Sequence, residues 1–533
     1  MIVLRGGSVY DPAHHIDGQV QDIWIDGGKI VAPPEHTDTV KVIDVSGLIL
    51  APAGVEIHAH VAGAQLNAAR ALLAGQVPVV DGLLPTPAQA AERYLKMGYT
   101  TVFDAAMPPL YAHQSHADLE CMEGIDRGAY TLMGEHALLM QAMLHKDPAE
   151  LRDAIAWLLQ TSGGYAVKLV NPGGGLAWKV GRPVPGFDES IFPDGPTQRQ
   201  FIQQVAATVN AMGLPHPIHL HARQLGRPGN WQSFCETVQA LEGQRAHLCH
   251  IQFFSYGVDE KGGFTSAAEQ VAECIAQYPQ LTFDVGQVLF GAAAAITADI
   301  SAIGFLRAVL HTPWFSRMME GEGGGSVLPL SYLAKDAASS VQWAAGLELL
   351  LRFPDPGRMF LTTDHPNGGQ FTSYPHILAW LMNKETRDRE LSLVHAAGRE
   401  KSGLAGLERE YTFSDVVAMT SWGPAKALGL EDRGHLDVGA RADIRCYQPQ
   451  ADIEAMFTTP KWVMRAGEIV VKDGQIVAHQ PGETLTVRPE WDEARREKIY
   501  DTLGSVTSVA PQSYALGDRP HDELKVVPCK SKA

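Results

Sequence analysis

The first residues able to do chemistry are His58 and His60, which close the stretch Pro52-Ala53-Gly54-Val55-Glu56-Ile57-His58-Ala59-His60. An apolar run, Leu48-Ile49-Leu50-Ala51, leads into a Pro-Ala-Gly turn and then a short strand. Side chains two apart on a strand face the same way, so the two imidazoles converge as a pair of metal ligands would. Similar candidates recur at the ends of later apolar segments. They are Lys168 in Tyr165-Ala166-Val167-Lys168-Leu169-Val170, His219-Leu220-His221, His247-Leu248-Cys249-His250, and Asp364 in Leu361-Thr362-Thr363-Asp364-His365-Pro366-Asn367. Imidazole and carboxylate suit zinc and related ions. A lysine inside a buried strand cannot stay charged and unpaired without large cost. Burial lowers its pKa from about 10.4 towards neutrality, and a neutral amine can capture carbon dioxide as a carbamate, with an oxygen for each of two metals. The plainer alternatives are ordinary polar residues at a strand end for His58 and His60, and a snorkelling or acid-paired Lys168.

Such residues meet only if the surrounding elements bring strand ends together. Residues 51–430 alternate short apolar strands with helical patterns, the signature of a parallel sheet. Strands are expected at Thr100-Thr101-Val102-Phe103, Ala166 to Val170, Pro217 to His221, Ala246 to His250, Leu281 to Val285 and Met359 to Thr363. Helices are expected between them, for example Pro148 to Gln160 and Gln198 to Met212. This repetition predicts an α/β fold, a (β/α)8 barrel whose active site lies at the C-terminal ends of its strands, where every candidate sits. Residues 1–50 and 431–483 carry similar hairpin blocks, predicting one small β-sandwich domain built from both ends of the chain. Thr412 to Leu430 reads as a capped helix. Residues 484–533 read as a charged helix and an extended tail with too little apolar content for a core of its own, expected to wrap the body or a partner. The Gly-rich segments Asn171-Pro172-Gly173-Gly174-Gly175 and Gly321-Glu322-Gly323-Gly324-Gly325 lack the G-K-[ST] of a phosphate-binding loop and suit loops at the barrel mouth.

Composition narrows the function. There are 43 Lys and Arg against 60 Asp and Glu, a formal charge of −17, which argues against nucleic acid and against an anionic membrane surface. No apolar run approaches the roughly 20 residues of a bilayer span. The six cysteines are scattered without C-x-x-C, and Met1 to Gly7 reads as a strand and turn rather than a signal peptide; both predict a reducing cytoplasm.

The order H-x-H, Lys, His, His, Asp on successive strand ends resembles the amidohydrolase superfamily. The resemblance implies a metal centre held by His58, His60, Lys168, His221, His250 and Asp364, with zinc, two ions, bridged by carboxylated Lys168. Asp364 would also be the catalytic proton carrier. A closer resemblance rests on Lys168-Leu169-Val170-Asn171-Pro172-Gly173-Gly174, Ala177-Trp178-Lys179, Leu225-Gly226 with Pro228-Gly229-Asn230, Gln342-Trp343-Ala344, and Leu361 to Gly369. These segments look like the A-subunit family of formylmethanofuran dehydrogenases and bacterial formyltransferase/hydrolase complexes. That implies hydrolysis of the N-formyl group of a formylmethanofuran-type coenzyme to formate and the amine, beside B, C and D type subunits, in one-carbon metabolism. Alternatives are the formylating direction of an archaeal-type dehydrogenase, a cyclic-amide hydrolase of the dihydropyrimidinase or dihydroorotase type, and a non-catalytic scaffold. His219, His247, His365, Asn171, Gln224 and Asn367 are candidates for positions around the metals. Lys179, Arg182, Arg223 and Arg227 are candidates for pairing with an acidic coenzyme tail.

Overall fold

The computed structural model describes residues 1–35, 40–73, 82–179, 181–310, 326–516 and 524–530. The Gly-rich segment 321–325 and the side chain of Lys179 lie outside the described residues.

The barrel strands are β1 (Gly54–Ala59), β2 (Tyr99–Met107), β3 (Asp126–Leu132), β4 (Ala166–Val170), β5 (Ile218–His221), β6 (Ala246–Leu248), β7 (Leu281–Asp284) and β8 (Met359–Phe360). Each pairs in parallel with the next. Between β8 and β1 the ring is drawn together by His60 N–H donating to the His365 carbonyl at 2.8 Å. Covering helices such as α1 (Pro87–Lys96), α2 (Pro148–Ser162) and α3 (Gln198–Ala211) start at side chains that accept first-turn amides: Thr86, Asp147 and Thr197. The strands are buried on both faces, so they read as apolar runs in the sequence.

Strand β3 escapes that reading because its sequence, Asp-Arg-Gly-Ala-Tyr-Thr-Leu, opens on charge and glycine. Gly128 is required there, since a Cβ would lie 2.4 Å from the Phe103 ring. Two expected strands stop early. β6 ends at Leu248, ahead of His250, and β8 at Phe360, ahead of Asp364. The helix expected over Thr412 to Leu430 is divided by a π-turn at Ala418–Trp422. Pro424 supplies no amide there, and Arg445 donates to the Thr420 and Ser421 hydroxyls at 2.6 and 3.0 Å.

Both chain ends do share one sheet. Ile49–Pro52 pairs antiparallel with Ile444–Tyr447, joining the N-terminal strands to the C-terminal hairpins in a nine-stranded sheet with its own apolar core. The hairpins turn on residue pairs with positive φ, Gly27-Gly28, Ala466-Gly467 and Asp473-Gly474, as tight two-residue turns require. From the tail, Thr484–Thr486 lies beside β3 and Leu524–Val526 beside it in turn, extending the barrel sheet outward.

At the base of the barrel, Asp126 opens β3 and is fully buried. It accepts from Arg433 at 2.5 Å, Arg441 at 2.6 Å, Arg465 at 2.6 Å and the Glu483 amide at 2.9 Å. Burial opposes its ionisation, but the three guanidinium groups overwhelm that and hold its carboxyl far below the usual range.

Candidate metal centre

Strand register decides which side chains meet. Lys168 on β4 lies opposite His219 on β5, His219 opposite His247 on β6, and His247 opposite Thr282 on β7. These residues make one rung inside the barrel. His221, two residues on, faces the same way one rung higher, at the mouth. There His58, His60, Lys168, His221, His250 and Asp364 line a common cleft of about 1100 Å³. His58 Nε2 and His60 Nε2 lie 2.9 and 3.4 Å from the same Asp364 oxygen. His221 Nε2 and His250 Nδ1 are buried with no hydrogen-bond partner among the described residues. The acid facing His221, Asp299, stops at 3.6 Å, too far for a hydrogen bond.

These features fit a bound divalent ion. Orphaned buried imidazole nitrogens are costly, and a metal among them would partner both. Four imidazoles, a carboxylate and an amine able to carry a carbamate form a donor set that suits zinc. The backbone is strained at two of these residues, His250 and Asp364, with φ of +40° and +47°, and at Asn171 and Gln224 of the adjoining loops, with φ of +35° and +61°. Such non-glycine conformations persist only where the surroundings over-determine them.

A buried chain of imidazoles fixes the ring nitrogen that His58 presents. His216 Nδ1–H donates to the Ala427 carbonyl at 2.7 Å, which leaves Nε2 of a neutral ring to accept from His219 Nδ1–H at 3.1 Å. His219 Nε2 then accepts from His58 Nδ1–H at 2.8 Å, so the His58 Nε2 lone pair faces the cleft. Burial first, and neighbouring positive charge second, keep His216 and His219 well below the usual imidazole pKa and hence neutral. Burial also disfavours protonation of His58, but the carboxylates of Asp284 and Asp364 overcome it and raise its pKa in the metal-free chain. A metal ion would take the place of that proton.

Asp284 completes the inner layer. It accepts from His247 Nε2 at 3.0 Å, from the Thr362 hydroxyl at 2.6 Å and from the His250 amide at 2.9 Å. Burial works against its charge, yet His58 and His247 hold it ionised well below its ordinary range. Glu56 lies beneath, taking the His58 amide at 3.0 Å and the Tyr374 and Tyr94 hydroxyls; burial pushes its pKa up to about 7. Neither acid stands out in the sequence, although Asp284 closes a strand in the barrel reading.

The remaining candidates divide by place. His219 and His247 sit below the cleft, and Asn367 lines it, accepting from the Ile296 amide at 2.6 Å. The His365 ring does not line it and bonds the Gly369 carbonyl at 3.2 Å. Asn171, Arg223, Gln224 and Arg227 line a second, polar cavity of about 490 Å³ that shares Leu225 with the cleft. Arg223 stacks on Phe187, and its Nε has no hydrogen-bond partner among the described residues; Arg227 stacks on Phe305. Arg182 is exposed. The cleft's outer walls are apolar, with Phe253, Phe264, Phe305, Leu330 and Tyr332. Two of these come from an antiparallel pair of strands, Gly291–Thr297 with Ser326–Tyr332, that the sequence pattern does not reveal.

The sequence pattern of the amidohydrolase family matches residues 41–478. The chain belongs to that family. Relatives of this amidohydrolase include the A subunit of the formyltransferase/hydrolase complex of Methylorubrum extorquens, 37% identical over 535 residues, covering 98% of this chain and 97% of that protein. Protein FwdA of Methanocaldococcus jannaschii is 35% identical, covering 98% of each. The crystal structure of the Methylorubrum extorquens complex with methylofuran contains a chain of the same fold, with TM-score 0.94, 36% identity and coverage of 99% of this amidohydrolase and 100% of that chain. No described helix of the amidohydrolase is long and apolar enough to cross a membrane.

Proposed function

We propose that the chain is the A subunit of a formyltransferase/hydrolase complex, hydrolysing the N-formyl group of a formylmethanofuran-type coenzyme to formate and the free amine. It would act beside B, C and D type subunits in the cytoplasm; that all six cysteines are free accords with that compartment. The observation that carries the reading is the convergence of His58, His60, Lys168, His221, His250 and Asp364 on one cleft, in a chain that resembles such a subunit over its whole length. Those six residues would hold zinc, two ions, with Lys168 as its carbamate. Bound there, the metal supplies Lewis acidity towards the formyl oxygen and lowers the pKa of water to about 7.

The chain's own residues supply the rest. The Asp364 carboxylate is ionised: burial opposes its charge, but His250 and His58 hold its pKa well below the usual range. It accepts the proton of the attacking water and delivers it to the departing amine nitrogen, which leaves poorly as an anion. The apolar walls exclude bulk water and accept a flat, uncharged group beside the formamide. Arg223 and Arg227 in the adjoining cavity suit carboxylates further along the coenzyme.

The similar likeness to an archaeal protein favours a second reading, formylation of the amine, which uses the same residues in reverse. Formate release from the formylated coenzyme by the purified complex tests the assignment. Turnover of a cyclic ureide in preference to an N-formyl amine would overturn it.

A further inference from the structure

We propose that the thiolate of Cys249 is an additional ligand of this metal centre. The inference rests on the metal-centre reading above and goes beyond the donor set that reading uses. Consecutive residues leaving a strand normally point to opposite faces. Here His250 adopts φ +40°, and that left-handed step turns Cys249 and His250 towards the same point. Donor atoms of Cys249, His250 and His58 all lie within 4.8 Å of one another. Cys249 is fully buried.

Two neighbours argue for a ligand over a packing residue. Lys168 Nζ, itself one of the donors the metal-centre reading uses, lies 3.0 Å from Cys249 Sγ, so the sulfur stands among those donors. The His250 imidazole beside it keeps a buried Nδ1 with no hydrogen-bond partner among the described residues. In the metal-free chain the thiol can still donate to the Leu220 carbonyl, 3.3 Å away. On metal binding the S–H bond is replaced by a sulfur–metal bond, and the proton is released to solvent. Thiolate binds borderline and soft ions well. The Lys168 nitrogen keeps an N–H even as a carbamate, so it can still donate to the bound sulfur from the other side.

The test is X-ray absorption at the zinc edge of the full chain in its complex, with cobalt(II) substitution as a second reading. A sulfur scatterer at about 2.3 Å, against nitrogen and oxygen alone at about 2.0–2.2 Å, is the expected result. The cobalt form should show a thiolate-to-metal charge-transfer band that disappears in Cys249→Ser and survives in Cys121→Ser, which removes an exposed thiol. The wild-type absorption spectrum carries the test even if Cys249→Ser fails to fold. A metal-loaded protein with a nitrogen and oxygen shell alone overturns this inference and leaves the hydrolase reading standing. A chain that takes up no metal overturns both.

Discussion

Buried charge at the base of the barrel and buried charge at its mouth are accommodated in opposite ways. At the base, Asp126 meets three guanidinium groups and a backbone amide, so both oxygens are satisfied. At the mouth, His58, His60 and Asp364 crowd together while His221 and His250 keep nitrogens without partners among the described residues. The base fastens the barrel to the two-ended sheet, because Arg465 sits on a strand of that sheet. The mouth holds donors suited to a cation. A buried carboxylate whose two oxygens are both partnered serves the fold, whereas ligand-type nitrogens left unpartnered beside strained backbone mark a site of chemistry.

This contrast can be broken at either end. The largest effect is expected from Asp364→Asn, which should lower the rate of formate release by about 10²–10⁴-fold while keeping bound metal, since the amide retains an oxygen but cannot carry the proton. Metal analysis beside turnover checks both halves. Asp126→Asn should leave turnover per folded molecule intact and cost about 3–5 kcal/mol of stability, read by denaturant unfolding. The pH dependence follows from the direction of its shift. Asp126 has a folded pKa below its unfolded value, so its stabilisation is full above that value and is lost as pH falls through the folded pKa. The stability gap between wild type and Asp126→Asn should therefore be widest near neutrality and close below about pH 3.9. A gap that widens in acid would exclude this role.

Substitutions away from the two carboxylates should have smaller effects. His216→Ala removes the anchor that sets the His58 ring and should weaken metal binding by about 10–100-fold, measured by competition with a chelator. Arg223→Ala should raise KM for an acidic coenzyme by about 10-fold with kcat unchanged, and should leave a truncated, uncharged N-formyl amine unaffected.

The sequence made the candidate donors legible and the bonds beneath them obscure, for physical reasons. His58-x-His60, His221, His250 and Asp364 could be picked out because each follows an apolar run, and Lys168 because it interrupts one; a barrel gathers such strands. The sheet shared by both termini was legible from its repeated Gly-containing hairpin turns. His219 and His247 beneath were named only as positions around the metals, and their bonding was not legible, since the chain from His216 through His219 to His58 exists only once β1 and β5 face each other across the barrel. The partners of Asp126 lie more than 300 residues away along the chain. Cys249 was hidden by strand alternation itself, which the left-handed turn at His250 undoes. The apolar strand pair over the cleft, rich in alanine, carries no chemical signal in its residue types.

Whether this chain is a metal-dependent formyl hydrolase is decided by metal content measured together with formate release, before and after chelation, on the purified complex. Roughly two zinc ions per chain are expected, with formate released from the formylated coenzyme, and both lost on chelation and restored with zinc. Undiminished formate release from fully metal-free protein would contradict metal dependence.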